Sequence, residues 1–277
     1  MSKGEMIVAF QGERGAYSEA ATVAHFGEHV QPLPSQSFEA VFDAVTDGSA
    51  DRGLVPVENS LAGSIHRNYD LLLRYDLVIV GEVQIRIAHH LIALPGVKLA
   101  DVRHIYSHPQ ALAQCERSLD KLLPQAERVP TYDTAGSVKM LQEESIRDGA
   151  AIASRRAADY YQMPVLRDDL EDDPENYTRF LVLSPEPVVP DGEAKTSIVF
   201  SIDNVPGALF KSLAVFALRD IDLTKIESRP LQGKPWQYFF YIDFVGSVHE
   251  TACRNALNHL QEIASFFRVL GSYPRGV

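Results

Sequence analysis

A strand, a polar loop and a helix start follow one another in Gly53-Leu54-Val55-Pro56-Val57-Glu58-Asn59-Ser60-Leu61-Ala62-Gly63-Ser64-Ile65-His66. The apolar run before Glu58 has the length of a buried strand, and the Asn and Ser side chains after it can cap the helix that continues through Tyr69. Free N–H groups at a helix start bind anions. This stretch predicts a strand-to-helix unit with an anion site in its loop, although helix capping alone would also account for its polar residues.

Strands and helices alternate on both sides of this segment. The elements predicted in the first part of the chain are residues 7–10, 16–26, 38–47, 53–57 and 69–74. Extended runs at 78–94 carry the chain into a second lobe, which repeats the alternation up to a closing strand at 178–183. Such alternation indicates mostly parallel sheets with helices on both faces. The predicted fold is α/β with two lobes, similar to periplasmic binding proteins, whose ligands lie in the cleft between the lobes.

Residues 184–193 are rich in proline, glycine and charge and form a predicted linker. Beyond them the predicted order is βαββαβ, which is a ferredoxin-like unit. The expected domains are residues 1–184 (lobe one at about 1–79 plus 176–184, lobe two at about 80–175), the linker 185–194, and a C-terminal domain 195–277. Because so small a domain leaves sheet edges exposed, we expect it to pair with a second copy, giving a homodimer or a dimer of dimers, that is, a homotetramer.

Composition narrows the class of protein. The 277 residues are 45% hydrophobic and carry a net charge of −11, which argues against nucleic acid or an anionic membrane as a partner. The sequence before the strand at Ile7 has no signal-type apolar segment. Two cysteines, Cys115 and Cys253, are too few for a disulfide framework and lack metal-ligand spacing. We therefore expect a cytoplasmic enzyme of small molecules with no metal.

The triplet Thr178-Arg179-Phe180 stands where a polar loop becomes an apolar strand. Arg stays protonated and can donate two hydrogen bonds to a carboxylate, and the Thr hydroxyl is a small donor beside it. A third polar turn, Tyr132-Asp133-Thr134-Ala135-Gly136-Ser137, precedes another predicted helix. These segments predict an anion site, although a solvated Arg and ordinary helix caps explain each of them singly.

Six motifs in order resemble the prephenate dehydratase family. They are Phe10-Gln11-Gly12-Glu13-Arg14-Gly15-Ala16-Tyr17-Ser18, Pro56-Val57-Glu58-Asn59-Ser60, Ser107-His108-Pro109-Gln110-Ala111-Leu112, Thr134-Ala135-Gly136-Ser137, Thr178-Arg179-Phe180, and the pair Gly207-Ala208-Leu209-Phe210 with Glu227-Ser228-Arg229-Pro230. The last pair is similar to the phenylalanine-binding signatures of the ACT regulatory domain that follows the catalytic domain in this family. The resemblance covers nearly the whole chain, and the order of the motifs is more specific than any one of them.

This resemblance implies a lyase that converts prephenate to phenylpyruvate, carbon dioxide and water in phenylalanine biosynthesis, without metal or cofactor. It assigns Thr178 as the group that donates to the leaving hydroxyl. A threonine hydroxyl is too weak an acid to lose its proton at neutral pH, so it can act only as a hydrogen-bond donor or relay. We assign Arg179 to a substrate carboxylate, and Asn59, Ser60 and Ser137 to carboxylate or ketone oxygens. Phe180 is expected to pack at the site.

A regulatory site is implied in the C-terminal domain. The turn before the helix at Gly207 could receive the carboxylate of L-phenylalanine, with contacts from residues that share this turn or the strand end opposite: Asn204, Pro206, Ala208, Leu209, Phe210, Glu227 and Ser228. Without the resemblance, a plain strand-to-helix turn explains the same residues. L-Phenylalanine is therefore expected as an allosteric effector.

Other interpretations stay open. An arogenate dehydratase differs only in carrying an amino group where prephenate has a ketone, and an acidic partner for that ammonium would distinguish the two. A non-catalytic amino acid sensor would bind ligand without releasing carbon dioxide. A fusion to chorismate mutase is not expected, since no helical segment precedes Ile7 in this sequence. Glu58 is an alternative acid, and His66, His89, His90 and His108 are expected to be structural.

Overall fold

The computed structural model describes residues 5–231, 233 and 236–276. The outer ends of the predicted domains, residues 1–4 and 277, lie outside the described residues. Contacts divide the chain into two compact units, one containing the residues up to Leu71 together with Val83–Phe180, and the other containing Leu72–Glu82 with the residues from Leu181 onward. The segment Leu72–Glu82, most of which we expected in lobe one, thus belongs by its contacts to the C-terminal unit.

The first unit is built on two sheets. Its strands are β1 (Ile7–Gln11), β2 (Gln31–Ser35), β3 (Arg52–Asn59), β4 (Gly63–Ser64), β5 (Val78–Arg86), β6 (His90–Ile92), β7 (His104–Ser107), β8 (Glu127–Pro130), β9 (Gly149–Ala153), β10 (Val165–Arg167) and β11 (Tyr177–Ser184). Strands β5 and β11 contribute residues to both units. Its helices are α1 (Tyr17–Phe26), α2 (Phe38–Thr46), α3 (His66–Arg74), α4 (Pro109–Gln114), α5 (Glu116–Leu122), α6 (Thr134–Glu143) and α7 (Arg155–Tyr160). We call the part around β1–β3 the first lobe and the part around β6–β10 the second lobe.

The first sheet has the strand order β2-β1-β3-β11-β5, with β4 paired to β3, and the second has the order β10-β6-β9-β7-β8. Strand β1 is parallel to both β2 and β3, and β7 is parallel to both β8 and β9. In the second lobe, helices pack on the sheet through fully buried side chains such as Ile105, Leu119, Val138, Leu141 and Ile152. The predicted two-lobed α/β fold is confirmed, and the carboxyl ends of the parallel strands lead into the loops that carry the polar motifs.

Two helix boundaries differ from the prediction. The helix predicted at 110–122 is interrupted at Cys115, because the carboxylate of Asp172 accepts hydrogen bonds from the N–H groups of Arg117 and Ser118, 2.8 and 2.9 Å away, and so starts a second helix there. A cap supplied from so distant a residue leaves no signal in the local periodicity. The helix expected from Ser137 begins at Thr134, since Asp133 caps it by accepting from the Gly136 N–H.

The C-terminal unit has the predicted βαββαβ order. Its elements from residue 194 onward are β12 (Ala194–Ser201), α8 (Ala208–Ala217), β13 (Leu223–Pro230), β14 (Tyr238–Val245), α9 (Thr251–Ile263) and β15 (Phe266–Pro274). The strands form an antiparallel sheet in the order β13-β14-β12-β15, which confirms the ferredoxin-like topology. Its core contains Phe200, Phe216, Phe244 and Leu260.

A buried ion pair lies within the same unit. The Nζ atom of Lys195 on β12 lies 2.5 Å from Oε1 of Glu82 on β5, and both side chains are almost completely buried. The N–H of Gly276 also donates to this carboxylate. Such a pair is costly to break, because the remaining charge would stay buried without a partner. No helix among the described residues is both long enough and apolar enough to cross a membrane.

Candidate active site

A cavity of about 630 Å³ lies in the first unit and is lined by residues of both lobes. The first lobe contributes the turn after β1, the start of α2, the loop after β3 and the start of β11, and the second lobe contributes the starts of α4 and α6. Ile87 and His89, in the segment that crosses between the lobes, complete the wall. This is the cleft that the two-lobed fold predicts for a ligand.

Thr178 and Asn59 meet at one wall of the cavity. The Nδ2 atom of Asn59 donates to Oγ1 of Thr178 (3.0 Å), to Oδ1 of Asn176 (2.7 Å) and to the carbonyl oxygen of Tyr177 (3.1 Å). The Oδ1 atom of Asn59 accepts from the N–H groups of Leu61 and Ala62. The amide is therefore locked in one orientation. Because Oγ1 of Thr178 accepts this hydrogen bond, its own proton remains available for a ligand in the cavity.

Of the predicted catalytic residues, Asn59, Thr178 and Phe180 line the cavity, and Arg179 and Ser60 are not among its described lining residues. Arg179 follows Thr178 in a strand and so points to the opposite face of the sheet, where its Nε lies 3.7 Å from Oε2 of Glu58. The Ser60 hydroxyl donates to the carbonyl of Glu175 and accepts from the N–H of Tyr177, at 2.8 and 2.9 Å. The expected roles of Arg179 and Ser60 toward substrate oxygens therefore stay predictions that their absence from the described cavity wall does not support.

Ser137 is also placed differently from our expectation. It lies in the first turn of α6, is buried, and its Oγ donates to the carbonyl of Asp133 and lies 2.5 Å from Oγ1 of Thr131. The cavity wall is formed instead by Asp133 and Thr134. Burial raises the pKa of the Asp133 carboxyl above its usual value, against the lowering effect of the N–H groups of Gly136 and Glu13. Ser137 thus supports the turn whose capping residue, Asp133, lines the cavity.

The electrostatic character of the cavity comes largely from helix starts. Residues in the first turns of α1, α2, α3, α4 and α6 line it. Helix N-termini carry partial positive charge and attract anions. Helix α1 begins after Ala16 without a side-chain cap, whereas Ser37 and Asp133 cap α2 and α6. This arrangement offers an anion a local positive field on a protein whose net charge is −11.

His89, which we expected to be purely structural, is a lining residue. Its Nδ1 lies 2.8 Å from the Tyr17 hydroxyl and its Nε2 lies 2.9 Å from Oε1 of Gln114, and all three residues line the cavity. Burial lowers the pKa of the His89 imidazole. The ring contacts both Tyr17 and Gln114 and so holds their side chains in place. The motif Gly15-Ala16-Tyr17-Ser18 contains the partner of His89 and could have indicated this part of the cavity, but the prediction assigned it no role.

Direct contacts join the two lobes around the cavity. Ser154 Oγ donates to the carbonyl of Gly15 at 2.6 Å, and Tyr132 OH donates to the carbonyl of Gln36. A Cβ atom on Gly15 would lie 2.5 Å from Cα of Ala157, and the φ of +86° at Gly15 also disfavours other residues. The glycine thus allows the turn after β1 to reach the second lobe.

A second cavity, of about 480 Å³, lies in the C-terminal unit at the start of α8. Of the predicted effector residues, those that line it are Asn204, Gly207, Ala208, Leu209, Phe210 and Ser228. Pro206 and Glu227 are not among its described lining residues. Glu227 alternates with Ser228 along β13, so its side chain points to the other face of the sheet. Trp236, Tyr238 and Phe240 also line it, and the prediction missed them.

Comparison with known proteins agrees with this geometry. The family model described as prephenate dehydratase matches residues 8–188. A relative from Arabidopsis thaliana, named arogenate dehydratase/prephenate dehydratase 2, chloroplastic, is 50% identical over 286 residues, covering 99% of this chain and 74% of the relative. The chain belongs to the prephenate dehydratase family and is an enzyme, a dehydratase of the carbon–oxygen lyase class.

Two solved structures share the complete fold. Prephenate dehydratase from Arthrobacter aurescens, in complex with L-Phe, is 34% identical with a TM-score of 0.90, covering 98% of this chain and 90% of that chain. GqqA, described as a novel type of quorum quenching acylase, is 35% identical with a TM-score of 0.89, covering 97% of this chain and 98% of that chain. Since proteins described by different activities share this fold, the substrate must be argued from the site.

The predicted cytoplasmic localisation is wrong. Relatives from Arabidopsis thaliana, among them the one above, are named chloroplastic. The prediction depended on the lack of a signal-type apolar segment before Ile7 and on two reduced cysteines, and reduced cysteines are compatible with any reducing compartment.

Proposed function

We propose that this enzyme removes carbon dioxide and water from a prephenate-type cyclohexadienol in phenylalanine biosynthesis, with Thr178 as donor to the leaving hydroxyl. The supporting observation is the 3.0 Å hydrogen bond from Asn59 Nδ2 to Thr178 Oγ1. It occupies the oxygen of Thr178 as an acceptor and leaves its proton for the ligand. A donor held in this way needs no reorganisation when charge develops on the departing oxygen.

The reaction requires few other groups of the protein. Loss of the ring carboxylate and hydroxyl produces an aromatic ring, so aromatisation supplies the driving force. The enzyme must orient the ring, hold the side-chain carboxylate and exclude water from the carboxylate that leaves. Phe38, Ile65, Ile87 and Phe180 supply an apolar lining, and the helix starts supply the positive field for carboxylates.

The direct test is incubation with prephenate, followed by phenylpyruvate absorbance, and a parallel incubation with arogenate, followed by phenylalanine formation. Turnover of either compound, with one carbon dioxide released for each product molecule, is the expected result. Ligand binding without carbon dioxide release would reject the proposal in favour of a non-catalytic amino acid sensor.

L-Phenylalanine is the proposed effector, bound in the cavity of the C-terminal unit, and that unit is proposed to be an ACT domain. Gly207, with φ of +79°, caps α8 without a side chain, which leaves the N–H groups of the helix start open to a carboxylate. Phe210, Trp236 and Tyr238 offer aromatic surface for its ring. The Arthrobacter aurescens relative was solved with L-Phe, which supports this proposal.

Phe210→Ala tests the effector site. Phe210 is 75% exposed, so its removal should leave stability nearly unchanged while weakening inhibition by phenylalanine about tenfold or more. Leu218→Ala is the matched control, since Leu218 follows the same helix, is 80% exposed and is not a described lining residue. Equal inhibition of both variants would contradict this location.

The homodimer or homotetramer stays a prediction, supported by edge strand β13 and its half-exposed Ile226.

A further inference from the structure

Arg67 supplies a permanent positive charge to the catalytic cavity. Among the described residues that line this cavity, it is the only lysine or arginine. A guanidinium keeps its proton across the whole pH range of an enzyme assay, and it has no acceptor of its own. Arg67 lies in the first turn of α3, so the N–H groups of a helix start lie beside it. A carboxylate that enters the cavity therefore meets a fixed cation at the start of α3.

Only one edge of this guanidinium is occupied. The Nε and Nη2 atoms of Arg67 donate to Oε1 and Oε2 of Glu39, each over 2.8 Å. This contact uses the side edge of the group, and no described residue is bonded to Nη1. Nη1 and the second N–H of Nη2 form the end edge, which has the fork geometry that matches a carboxylate. Glu39 thus fixes the guanidinium and leaves its end edge for a ligand.

The exposure of Thr178 and Arg67 indicates how a substrate lies in the cavity. Thr178 is 8% exposed, whereas the side chain of Arg67 is 63% exposed. The proposed hydroxyl donor therefore lies at the buried wall, and the cation lies on the open side. In a prephenate-type ring the hydroxyl is at one end, and both the ring carboxylate and the side chain are at the other. With the hydroxyl at Thr178, the side chain is the part that extends furthest toward the open side.

We propose that the end edge of Arg67 binds the side-chain carboxylate of the substrate, which stays in the product, and not the ring carboxylate, which leaves as carbon dioxide. This inference rests on the proposed function, because it assigns a residue to the substrate of the same cavity. A cation held against the leaving carboxylate would stabilise the charge that decarboxylation must move into the ring, and so would raise the barrier. A contact with the carboxylate that stays is equal in the ground state and the transition state, so Arg67 acts on KM.

Arg67→Gln is the decisive variant. Hydrogen bonds to a charged group are worth about tenfold in affinity or more, so KM should rise by roughly that factor while kcat stays within about threefold of the parent value. Arg67→Lys keeps the charge without the fork and should recover part of the loss. Arg74→Gln is the matched control, because Arg74 lies on the same helix and is not a described lining residue. Steady-state kinetics measures both parameters, and thermal unfolding checks that each variant is folded.

A pair of probes tests the contact without turnover of the probe. 3-Phenylpropanoate carries only a side-chain carboxylate, and 3-phenylpropan-1-ol has a hydroxyl in its place. Competitive inhibition against the substrate restricts the measurement to the catalytic cavity. Arg67→Gln should weaken the inhibition constant of the acid about tenfold or more and leave that of the alcohol within about twofold. Arg74→Gln should change neither constant by more than about twofold.

The outcomes separate this inference from the proposed function. A raised KM at nearly constant kcat, together with selective loss of the acid probe in Arg67→Gln, supports the inference. An unchanged KM, equal weakening of acid and alcohol, or a change in kcat larger than the change in KM overturns it. Each of these results leaves the dehydratase proposal intact, because the parent enzyme still turns over prephenate or arogenate. A parent enzyme that turns over neither compound overturns both.

Discussion

The two faces of strand β11 differ in what they contact. Thr178 and Phe180 line the catalytic cavity, while Arg179, between them, lies on the other face beside Glu58. Side chains alternate along a strand, so three consecutive residues cannot all reach one ligand. The motif Thr178-Arg179-Phe180 therefore marks where the site lies without making each member a contact of the substrate.

The loop after β3 shows the same division between neighbours. Asn59 is buried and positions the Thr178 hydroxyl, whereas Ser60 joins the loop to the backbone of Glu175 and Tyr177. Asn59 therefore contributes to the cavity wall, and Ser60 holds the loop to β11. Residues of both kinds can be retained in a family, but their substitution should affect different measurements.

Thr178→Val should have the largest effect on catalysis. Valine keeps the β-branched shape, and Asn59 keeps its hydrogen bonds to Asn176 and Tyr177, so the fold should remain. Loss of the donor to the leaving hydroxyl should lower kcat about 10²- to 10³-fold. Steady-state kinetics and thermal unfolding measure the two quantities. Thr178→Ser, which keeps the hydroxyl, should retain most of the activity, and a Thr178→Val enzyme within tenfold of the parent would remove Thr178 from the mechanism.

Asn59→Asp should have the next largest effect. Aspartate keeps an acceptor for the N–H groups of Leu61 and Ala62 but replaces the donor to Thr178 with an acceptor. The Thr178 hydroxyl would then donate to the introduced carboxylate instead of the substrate, so kcat should fall about 10- to 100-fold with a smaller change in KM. Steady-state kinetics with the preferred substrate separates the two parameters.

Asn176→Asp is the control for Asn59→Asp. This change introduces the same charge beside Asn59 but keeps the oxygen that accepts from Asn59 Nδ2, and the amide nitrogen that it replaces has no hydrogen-bond partner among the described residues. Both variants should lose stability, because each buries a carboxylate. Only Asn59→Asp should lose most of its kcat, and equal losses in both would assign the effect to buried charge.

Much of the fold could be predicted from the sequence. Strand-sized apolar runs separated by amphipathic helices fix the α/β class, and the βαββαβ order of the C-terminal unit follows from the same periodicities. The break at Cys115 could not be predicted, since it depends on Asp172, 57 positions later in the sequence. Contacts between distant segments carry no local signal.

The site was harder to predict than the fold. Sequence spacing locates the loops that meet in the cavity, but the direction of each side chain depends on strand pleat and on hydrogen bonds formed after folding. Arg179, a permanent cation in a family motif, was the natural candidate for a carboxylate, whereas Arg67, in an ordinary amphipathic helix, lines the cavity. Helix starts gathered from five places in the sequence become one electrostatic feature only in the folded protein.

Arg179→Gln should have the smallest effect on catalysis and a larger one on stability. Only 10% of the Arg179 side chain is exposed, and its close contact with Glu58 is screened because 40% of that side chain is exposed. We expect kcat/KM to stay within about threefold of the parent value and the free energy of unfolding to fall by about 1–3 kcal/mol, mainly from lost packing and hydrogen bonds. Urea unfolding and steady-state kinetics on one preparation measure both. A fall of a hundredfold in kcat/KM at unchanged stability would mean that Arg179 reaches the substrate, and the two faces of β11 would then not differ in function.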